Sequence, residues 1–287
     1  MILAIVGPTG VGKTKLSIEL AKKYNAIIIN CDAMQVYKDL NIGTAKIKES
    51  EKEGIKHYLF DIVSPDTFYT VCDYQKEARK IIEENSDKNI IFVGGTGLYL
   101  KACLYDYQFS LDNNSNDYAD YSNEQLLSMC KGIDANCSIH VNNRVRLVRF
   151  LNRGTMPVTN SKELYKPLII GLTTDRDTLY KKIDARVDSM MDEGLEKEAK
   201  SLYCKWGETK ALKTAIGYKE LIMYFKGDIS LEEAINNIKK NSRHYAKRQY
   251  TFFNHQLPVH WFNVNYEDFN ETIDKVSEYV DEYLKRQ

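Results

Sequence analysis

The chain has 287 residues, of which 43% are hydrophobic and 28% are charged. This composition is typical of a globular protein and excludes a disordered chain, a collagen and a coiled coil. The 40 basic residues balance 40 acidic ones, so a polyanion could bind only at a local basic patch and not through the overall charge.

Short apolar runs alternate with helical patterns in the N-terminal part of the chain. Strands are predicted at 2–6, 26–29 and 90–93, and helices at 14–24 and 74–85. Each of these strands ends in a polar or glycine-rich loop. The alternation predicts an α/β fold that is built on a parallel sheet.

A glycine-rich segment follows the first strand and precedes the first helix. It fits G-x-x-x-x-G-K-[ST] in the context that defines a P-loop, and its residues are Gly7, Pro8, Thr9, Gly10, Val11, Gly12, Lys13 and Thr14. The glycines let successive N–H groups face one cavity, and the helix N-terminus adds partial positive charge. Lys13 would reach a terminal phosphate, and the Thr14 hydroxyl would bind Mg²⁺. The segment predicts a P-loop NTPase-like sheet that binds a diphosphate or a triphosphate such as ATP.

A carboxylate, Asp32, stands at the end of the second strand. This position is the ligand edge of a parallel sheet, beside the P-loop. One role for Asp32 is to cap the turn that follows. In a phosphate-rich pocket it could instead bind magnesium through water or accept a proton from a nucleophile.

The third strand leads into Gly94, Gly95 and Thr96, where a nucleotide hydrolase would normally place a Walker B aspartate. The two glycines permit close approach of the backbone, and Thr96 offers a hydroxyl to an anion. We interpret the missing acid as the mark of a site that holds a phosphate leaving group and does not position water for hydrolysis.

The composition changes in the middle of the chain. Residues 111–123 contain no basic residue and predict an exposed loop that opens a small helical insertion. We therefore expect a P-loop core at 1–110, an insertion at 111–137, and a mostly helical remainder at 138–287 that also completes the core.

The remainder contains two predicted strands and three predicted helices. The strands lie at 168–172 and 259–262. The helices are predicted at 178–206, 212–225 and 231–253.

Two basic segments lie in this remainder. Arg146, Arg149 and Arg153 share one helix face. The second segment, 236–250, contains no acid and five basic residues, namely Lys239, Lys240, Arg243, Lys247 and Arg248. A single run of this kind is most often a solvated helix face, but two of them in a charge-balanced chain favour polyanion binding. His244 and Tyr245 would add stacking surfaces for RNA, or would pack into the core.

The six cysteines form no metal-binding or disulfide pattern. None belongs to a C-x-x-C pair, and the Cys137–His140 spacing has no second half that would complete a zinc site. The apolar start of the chain is too short for a signal peptide, and no apolar run reaches the roughly 20 residues that span a membrane. We expect a cytoplasmic monomer that has reduced thiols and makes no contact with a membrane.

Six segments in one order resemble the tRNA dimethylallyltransferases (isopentenyl transferases). They are GPTGVGKT at 7–14, CDAMQVYKDLNIGTAK at 31–46, HYLFDIVSP at 57–65, GGTGLYLKA at 94–102, IGYKEL at 216–221 and SRHYAKRQYTFF at 242–253. A P-loop alone would fit many families, whereas this set fits one. The zinc finger of eukaryotic relatives is not present in the sequence, so we expect the bacterial type.

The resemblance implies transfer of a dimethylallyl group from dimethylallyl diphosphate to N6 of adenosine 37 of tRNA, next to the anticodon, with Mg²⁺ as cofactor. It assigns catalytic roles to Asp32, Thr96, Lys13 and Arg186. Asp32 would take the proton of the amine, and the other three would hold the diphosphate. The residues that it implies for tRNA binding are Asp32, Ala33, Met34, Gln35, Arg146, Arg149, Lys219, Arg243, Lys247, Arg248 and Gln249.

One segment departs from the family pattern H-P-N-D-x-x-R. Here Val141 replaces the proline and Asn143 replaces the acid, so the geometry of the turn before Arg146 is expected to differ.

Two other functions compete with the transferase. A small-molecule P-loop kinase would share the features of the first 32 residues, but it would consume ATP and would have no use for the two basic segments. A non-catalytic RNA-binding module with a relic P-loop is the third hypothesis. The intact Lys13–Thr14 pair and Asp32 argue against this module.

Overall fold

The computed structural model describes residues 1–109, 116–154 and 159–286. Its contacts divide the chain into two compact units. The first comprises Met1–Leu104 and Tyr165–Gln287, and the second comprises Tyr105–Leu164.

The first unit is built on a six-stranded parallel sheet. The strands of the chain are β1 (Ile2–Val6), β2 (Ala26–Asn30), β3 (His57–Tyr58), β4 (Asn89–Val93), β5 (Tyr105–Tyr107), β6 (Thr159–Glu163), β7 (Leu168–Thr173) and β8 (His260–Asn263). The order in the sheet is β3-β2-β4-β1-β7-β8, and every neighbouring pair is parallel. The antiparallel pair β5–β6 belongs to the second unit. The predicted α/β fold is confirmed.

The central strands are apolar throughout because helices cover both faces of a parallel sheet. Leu3 and Ile5 of β1, Ile28 of β2 and Ile170 of β7 are inaccessible to solvent. The register pairs Ile5 with Val93 of β4, so the two strands end together. As a result, the loops that follow β1, β2 and β4 emerge at the same edge of the sheet.

Eleven α-helices are present in the described part of the chain. They are α1 (Lys13–Tyr24), α2 (Val71–Glu84), α3 (Gly97–Leu104), α4 (Asn123–Ile133), α5 (Arg144–Arg153), α6 (Arg176–Asp192), α7 (Leu195–Trp206), α8 (Lys210–Thr214), α9 (Tyr218–Phe225), α10 (Leu231–Gln256) and α11 (Phe269–Lys285). Helices α4 and α5 belong to the second unit. No helix of the described ranges combines the length and the apolar composition that crossing a bilayer requires.

Two helices that the sequence predicts as continuous are each broken in two. The predicted helix at 178–206 is α6 and α7, which meet at Gly194 with a φ of +102°. The predicted helix at 212–225 is α8 and α9: α8 ends before Ala215, whose backbone is extended, and Gly217 precedes α9 with a φ of +98°. Both angles lie in the left-handed region, where a helix cannot continue. The predictions of single helices were therefore wrong.

The second unit differs from the predicted insertion at 111–137, since it runs from 105 to 164. The reason is the apolar face of α5: Leu147 and Phe150 pack against Leu126 and Cys130 of α4. The arginine helix therefore belongs to the inserted unit and not to the core. Part of the predicted acidic loop, 111–115, lies outside the described residues.

We predict that Gly171→Ala destabilises the sheet. A Cβ at Gly171 in β7 would lie 2.4 Å from a ring carbon of Trp261 in β8, so one strand must shift. The free energy of unfolding, measured by urea denaturation, should fall by about 1–3 kcal/mol.

The control for this variant is Gly132→Ala in α4, where the new methyl group has no neighbour within 4 Å. Here helix propensity should raise stability by about 0.5–1 kcal/mol. If Gly171→Ala unfolded at the same urea concentration as the wild type, the Trp261 ring would be able to shift without a loss of stability.

Candidate active site

A cavity of about 1040 Å³ opens where β1, β2 and β4 end. The predicted residues that line it come from the glycine-rich loop (residues 7–14), the turn after β2, α6, α9 and α10: Thr9, Gly10, Gly12, Lys13, Thr14, Asp32, Ala33, Met34, Gln35, Arg186, Lys219, Arg248 and Gln249. The fold thus brings most of the predicted site residues into one place.

Gly7 and Gly12 of the glycine-rich loop each combine a positive φ with close packing. Gly7 has a φ of +136°, and a Cβ there would lie 2.5 Å from the carbonyl oxygen of Leu172. Gly12 has a φ of +86° and begins α1, and a Cβ there would lie 2.5 Å from the ring of Phe269. Close packing on both sides therefore fixes the path of the loop.

Lys13 faces the cavity, and its amine donates a hydrogen bond to the carbonyl oxygen of Pro8 at 2.7 Å. Burial of the amine lowers the pKa of Lys13 to about 7, although part of the residue remains accessible to solvent. The nearby charge of Arg186 lowers this pKa further, and that of Asp32 acts in the opposite direction. An anion in the cavity would restore the charge of the lysine.

Arg186 projects from α6 into the same cavity. It is half-buried, and burial lowers its pKa, while the charge of Asp32 opposes that shift. Among the described residues, no carboxylate forms an ion pair with Arg186 or Lys13. Since a buried cation is costly without a partner, these two side chains form a site that an anion would stabilise.

Asp32 is held by a network at the end of β2. One carboxylate oxygen, Oδ1, accepts a hydrogen bond from the N–H of Met34 at 2.9 Å, so the capping role is real. The Asp32 N–H donates to the side chain of Asn30, which is fully buried and also donates to the carbonyl oxygen of Leu59. The second oxygen, Oδ2, accepts no hydrogen bond from the described residues. Asp32 can therefore cap the turn through Oδ1 while Oδ2 stays available to bind magnesium through water or to accept a proton.

Thr96 is part of the wall behind Asp32 and does not line the cavity. Its hydroxyl accepts a hydrogen bond from the N–H of Ala33 at 3.0 Å, and its own N–H donates to the carbonyl oxygen of Cys31. A Cβ at Gly94 would lie 2.2 Å from that same oxygen of Cys31, so the predicted close backbone approach is confirmed. Through its hydrogen bond with Ala33, Thr96 supports the turn that contains Asp32.

Gln249 of α10 is buried and bridges two loops of the site. Its Oε1 accepts from the N–H of Thr9 at 3.2 Å, and its Nε2 donates to the carbonyl oxygen of Gly95 at 3.0 Å. A Cβ at Gly95 would lie 1.9 Å from this nitrogen, so a side chain there would displace the Gln249 amide. Gln249 was predicted to bind tRNA, but its polar atoms are engaged inside the protein.

The second basic segment divides into paired and unpaired residues. Arg243 donates to Asp184 of α6 at 2.5 Å, and Lys239 pairs with Asp188 at 2.6 Å. Lys247 and Arg248 are exposed, and no described acid pairs with either of them. Acids of α6 therefore neutralise Lys239 and Arg243 on the face of α10 that meets α6. Lys247 and Arg248 lie further along α10 and keep their charge free for an external partner.

The other predicted contacts lie in both units. Lys219 lines the cavity beside Glu220, at 3.5 Å. Arg146 and Arg149 are exposed on α5 in the second unit. The Asn143 side chain accepts from the Arg146 N–H and caps this helix, so the replacement of the family's acid leaves the helix start intact.

Two stretches of the cavity wall were not assigned to the site from the sequence. They are 43–45, after the turn of Asp32, and 214–217, between α8 and α9. Both overlap motifs that carry the family resemblance, namely GTAK and IGYKEL. Because these two motifs match the family, they could have been used to assign both stretches to the site.

The described residues contain no group of three or more His, Cys, Asp or Glu side chains that could hold a metal ion. Thr14 and Asp32 both line the cavity and offer one hydroxyl and one carboxylate. This donor set fits Mg²⁺, which takes few ligands from the protein when phosphate oxygens and water supply the others.

Comparisons with known proteins agree on one family. A family profile described as IPP transferase matches residues 35–256. A tRNA dimethylallyltransferase of Anoxybacillus flavithermus is 44% identical to this chain over 98% of it and 96% of the relative. The crystal structure of a tRNA isopentenylpyrophosphate transferase from Bacillus halodurans is 38% identical, with a TM-score of 0.79 over 99% of this chain and 97% of its own. A eukaryotic dimethylallyltransferase, solved acting on tRNA, is 26% identical, with a TM-score of 0.79 over 91% of this chain and 73% of its own.

The low pKa of Lys13 predicts how diphosphate binding depends on pH. In the free protein this amine loses its proton as the pH rises through about 7, whereas a bound anion would raise its pKa and keep it charged. The affinity for inorganic diphosphate should therefore be highest below pH 7 and should fall above it, by at most about tenfold per pH unit.

Isothermal titration calorimetry across this pH range tests the prediction. The matched variant is Lys13→Arg, whose guanidinium stays charged throughout, so its profile reports the titration of the ligand alone. Superimposable profiles of the two proteins would contradict the role of Lys13.

Proposed function

The chain belongs to the IPP transferase family, and we propose that it transfers a dimethylallyl group from dimethylallyl diphosphate to a tRNA. The acceptor is N6 of the adenosine next to the anticodon, and the products are N6-isopentenyladenosine and diphosphate. The observation that carries the proposal is the pair of cations, Lys13 and Arg186, that face one cavity beside a carboxylate with a free oxygen.

The glycine-rich loop acts as a P-loop for the leaving diphosphate. Cleavage of the allylic C–O bond leaves its electron pair on the diphosphate, so negative charge grows there during the reaction. The loop N–H groups, Lys13 and Arg186 are in place before this charge develops and lower the barrier. The protonated Lys13 amine has three N–H donors, so it can keep its hydrogen bond to the carbonyl oxygen of Pro8 and still donate to the diphosphate.

Mg²⁺ would be held by the hydroxyl of Thr14 and, through water, by Asp32, which both line the cavity. When bound, it would neutralise part of the diphosphate charge.

Asp32 acts on the acceptor amine. The N6 nitrogen forms a bond to the allylic carbon as the C–O bond breaks, and the amine then carries an excess proton. The Oδ2 atom of Asp32 takes that proton, while Oδ1 stays bonded to the N–H of Met34 and keeps the carboxylate in place.

The adenosine must leave the stacked anticodon loop to enter the cavity. Ala33, Met34 and Gln35 line the wall that it would meet. Arg248 and Lys247 are exposed at the second basic segment and would contact the RNA backbone, as would Arg146 and Arg149 on the second unit. Arg243 contributes indirectly because it is already paired with Asp184.

We place the enzyme in the cytoplasm, as a monomer, and its cysteines support this location. All six belong to the described part of the chain and are free thiols, as expected in a reducing compartment.

The direct test is incubation of the purified protein with radiolabelled dimethylallyl diphosphate, Mg²⁺ and unmodified tRNA, with an ATP-only control. Label in the tRNA would support the transferase. Phosphate transfer from ATP to a small molecule, without label in the tRNA, would establish the alternative P-loop kinase.

Asp32→Asn should lower kcat by about 10²–10⁴-fold because it removes the base but keeps an oxygen that accepts from the Met34 N–H. The Kd for tRNA should stay close to that of the wild type. Asp39→Asn is the matched control, since Asp39 is exposed and does not line the cavity. Unchanged turnover of Asp32→Asn would exclude Asp32 as the base.

Lys247→Gln combined with Arg248→Gln should weaken tRNA binding and reduce the slope of log K against log salt by roughly 1–2. The control is Lys275→Gln with Lys285→Gln, which changes the charge equally on exposed positions of α11. Binding measured by filter retention at several salt concentrations distinguishes the two. If the slope of log K against log salt were the same in both double variants, the α10 segment would be a solvated helix face that does not bind tRNA.

A further inference from the structure

A carboxylate from α7 holds the loop at residues 41–46, which we call the 41–46 loop. Glu198 Oε1 accepts from the N–H groups of Ile42 at 3.0 Å and Gly43 at 3.2 Å. Its Oε2 accepts from Ile42 at 2.9 Å and from Asn41 at 3.3 Å. Three successive N–H groups thus point at one carboxylate, an arrangement that favours negative charge.

Tyr218 completes this clamp from α9. Its phenol donates to Glu198 Oε1 at 2.6 Å, and the residue is completely buried. The ring packs against Gly43, where a Cβ would lie 2.5 Å from a ring carbon. Glycine at this position therefore lets Glu198 and Tyr218 approach the loop together.

The clamped loop in turn orients Gln35. The Gln35 Nε2 donates to the carbonyl oxygen of Thr44 at 3.0 Å and approaches that of Ala45 at 3.4 Å. A carbonyl can only accept, so the amide nitrogen must face the loop and Oε1 must face away from it. Gln35, Thr44 and Ala45 all line the active-site cavity.

The far end of the 41–46 loop has its own anchor. The amine of Lys46 is buried and donates to the carbonyl oxygen of Tyr37 at 2.7 Å and to Asp61 at 2.5 Å. The position of the loop therefore depends on Lys46 at one end and on Glu198 at the other.

We propose that Glu198 is a positioning residue that acts through Gln35. By holding the N–H groups of 41–43, it fixes the carbonyls of Thr44 and Ala45. These carbonyls turn the Gln35 amide so that Oε1 presents an acceptor to an N–H group of the entering nucleobase. The inference rests on the proposed function, since it names what Gln35 recognises in the RNA.

Glu198→Gln is the main variant, and Glu196→Gln on the same helix is its matched control. The carboxamide keeps the shape of the glutamate but removes the charge and places an NH₂ group against donors. Amide hydrogen exchange at 41–43 should accelerate by about tenfold or more in Glu198→Gln and should stay unchanged in Glu196→Gln. The KM for tRNA should rise by about tenfold, while the KM for dimethylallyl diphosphate stays constant.

A double-mutant cycle with Gln35→Ala separates positioning from general damage. If Glu198 acts through Gln35, Glu198→Gln should raise the KM for tRNA little further once Gln35 is gone. The proposal would be overturned if the two substitutions multiplied their effects on the KM for tRNA in the double variant. It would also be overturned if Glu198→Gln raised the KM for dimethylallyl diphosphate as much as the KM for tRNA.

Tyr218→Phe provides a milder second variant. It removes one donor but leaves the backbone hydrogen bonds of Glu198, so a smaller effect in the same direction is expected, again lost with Gln35→Ala. Unchanged amide exchange at 41–43 in both Glu198→Gln and Tyr218→Phe would also overturn the clamp. A wild-type protein that labels no tRNA would instead contradict the proposed function, and amide exchange would still decide the clamp.

Discussion

Parallel pairing of β4 with both β1 and β2 is the constraint on which the site depends. The register pairs Val93 at the end of β4 with Ile5 of β1 and with Asn30 of β2, so the segments that follow these three strands meet at one edge. The glycine-rich loop, Asp32 and Gly94 are far apart in the chain, yet they face one cavity because these strands run in the same direction. No catalytic arrangement of these groups would exist without that pairing.

The segments at this edge are fixed by side chains that come from elsewhere. Asn30 and Thr96 hold the turn of Asp32, Gln249 joins the glycine-rich loop to Gly95, and Glu198 holds the 41–46 loop. These hydrogen bonds satisfy backbone N–H and C=O groups that would otherwise lack a partner inside the protein. The cations of the cavity, unlike these backbone groups, have no such partner: no acid of the described residues lies within ion-pairing distance of Lys13 or Arg186. The site is therefore preorganised around an anion and not around its own salt bridges.

The sequence predicted what depends on local pattern. The strands β1, β4, β7 and β8 follow apolar runs, and the P-loop pattern and the position of Asp32 follow from short motifs, so these came out close to the structure. The family resemblance was also confirmed by the comparisons. The prediction that Gly94 permits close backbone approach held because it needs only the neighbouring strand end.

Features that depend on a distant partner could not be read from the pattern. Arg243 looked like a free cation because its acid, Asp184, lies 59 residues away on another helix. Gln249 looked like a contact for RNA because nothing in the sequence shows that it reaches Thr9. The breaks near Gly194 and Gly217 lie within continuous helical patterns, and the backbone angles that separate the helices are not visible in those patterns.

The packing of Phe269 against Gly12 links the beginning of the chain to its C-terminal segment. Tyr266, just before α11, also donates a hydrogen bond to the carbonyl oxygen of Gly10. A ribosome synthesises Tyr266 256 residues after Gly10, long after β1 and α1 have left the exit tunnel. A nascent chain therefore first carries the glycine-rich loop without the packing of Phe269 and the hydrogen bond of Tyr266. The loop therefore gains its final support only when these two residues have been synthesised and α11 packs against α1.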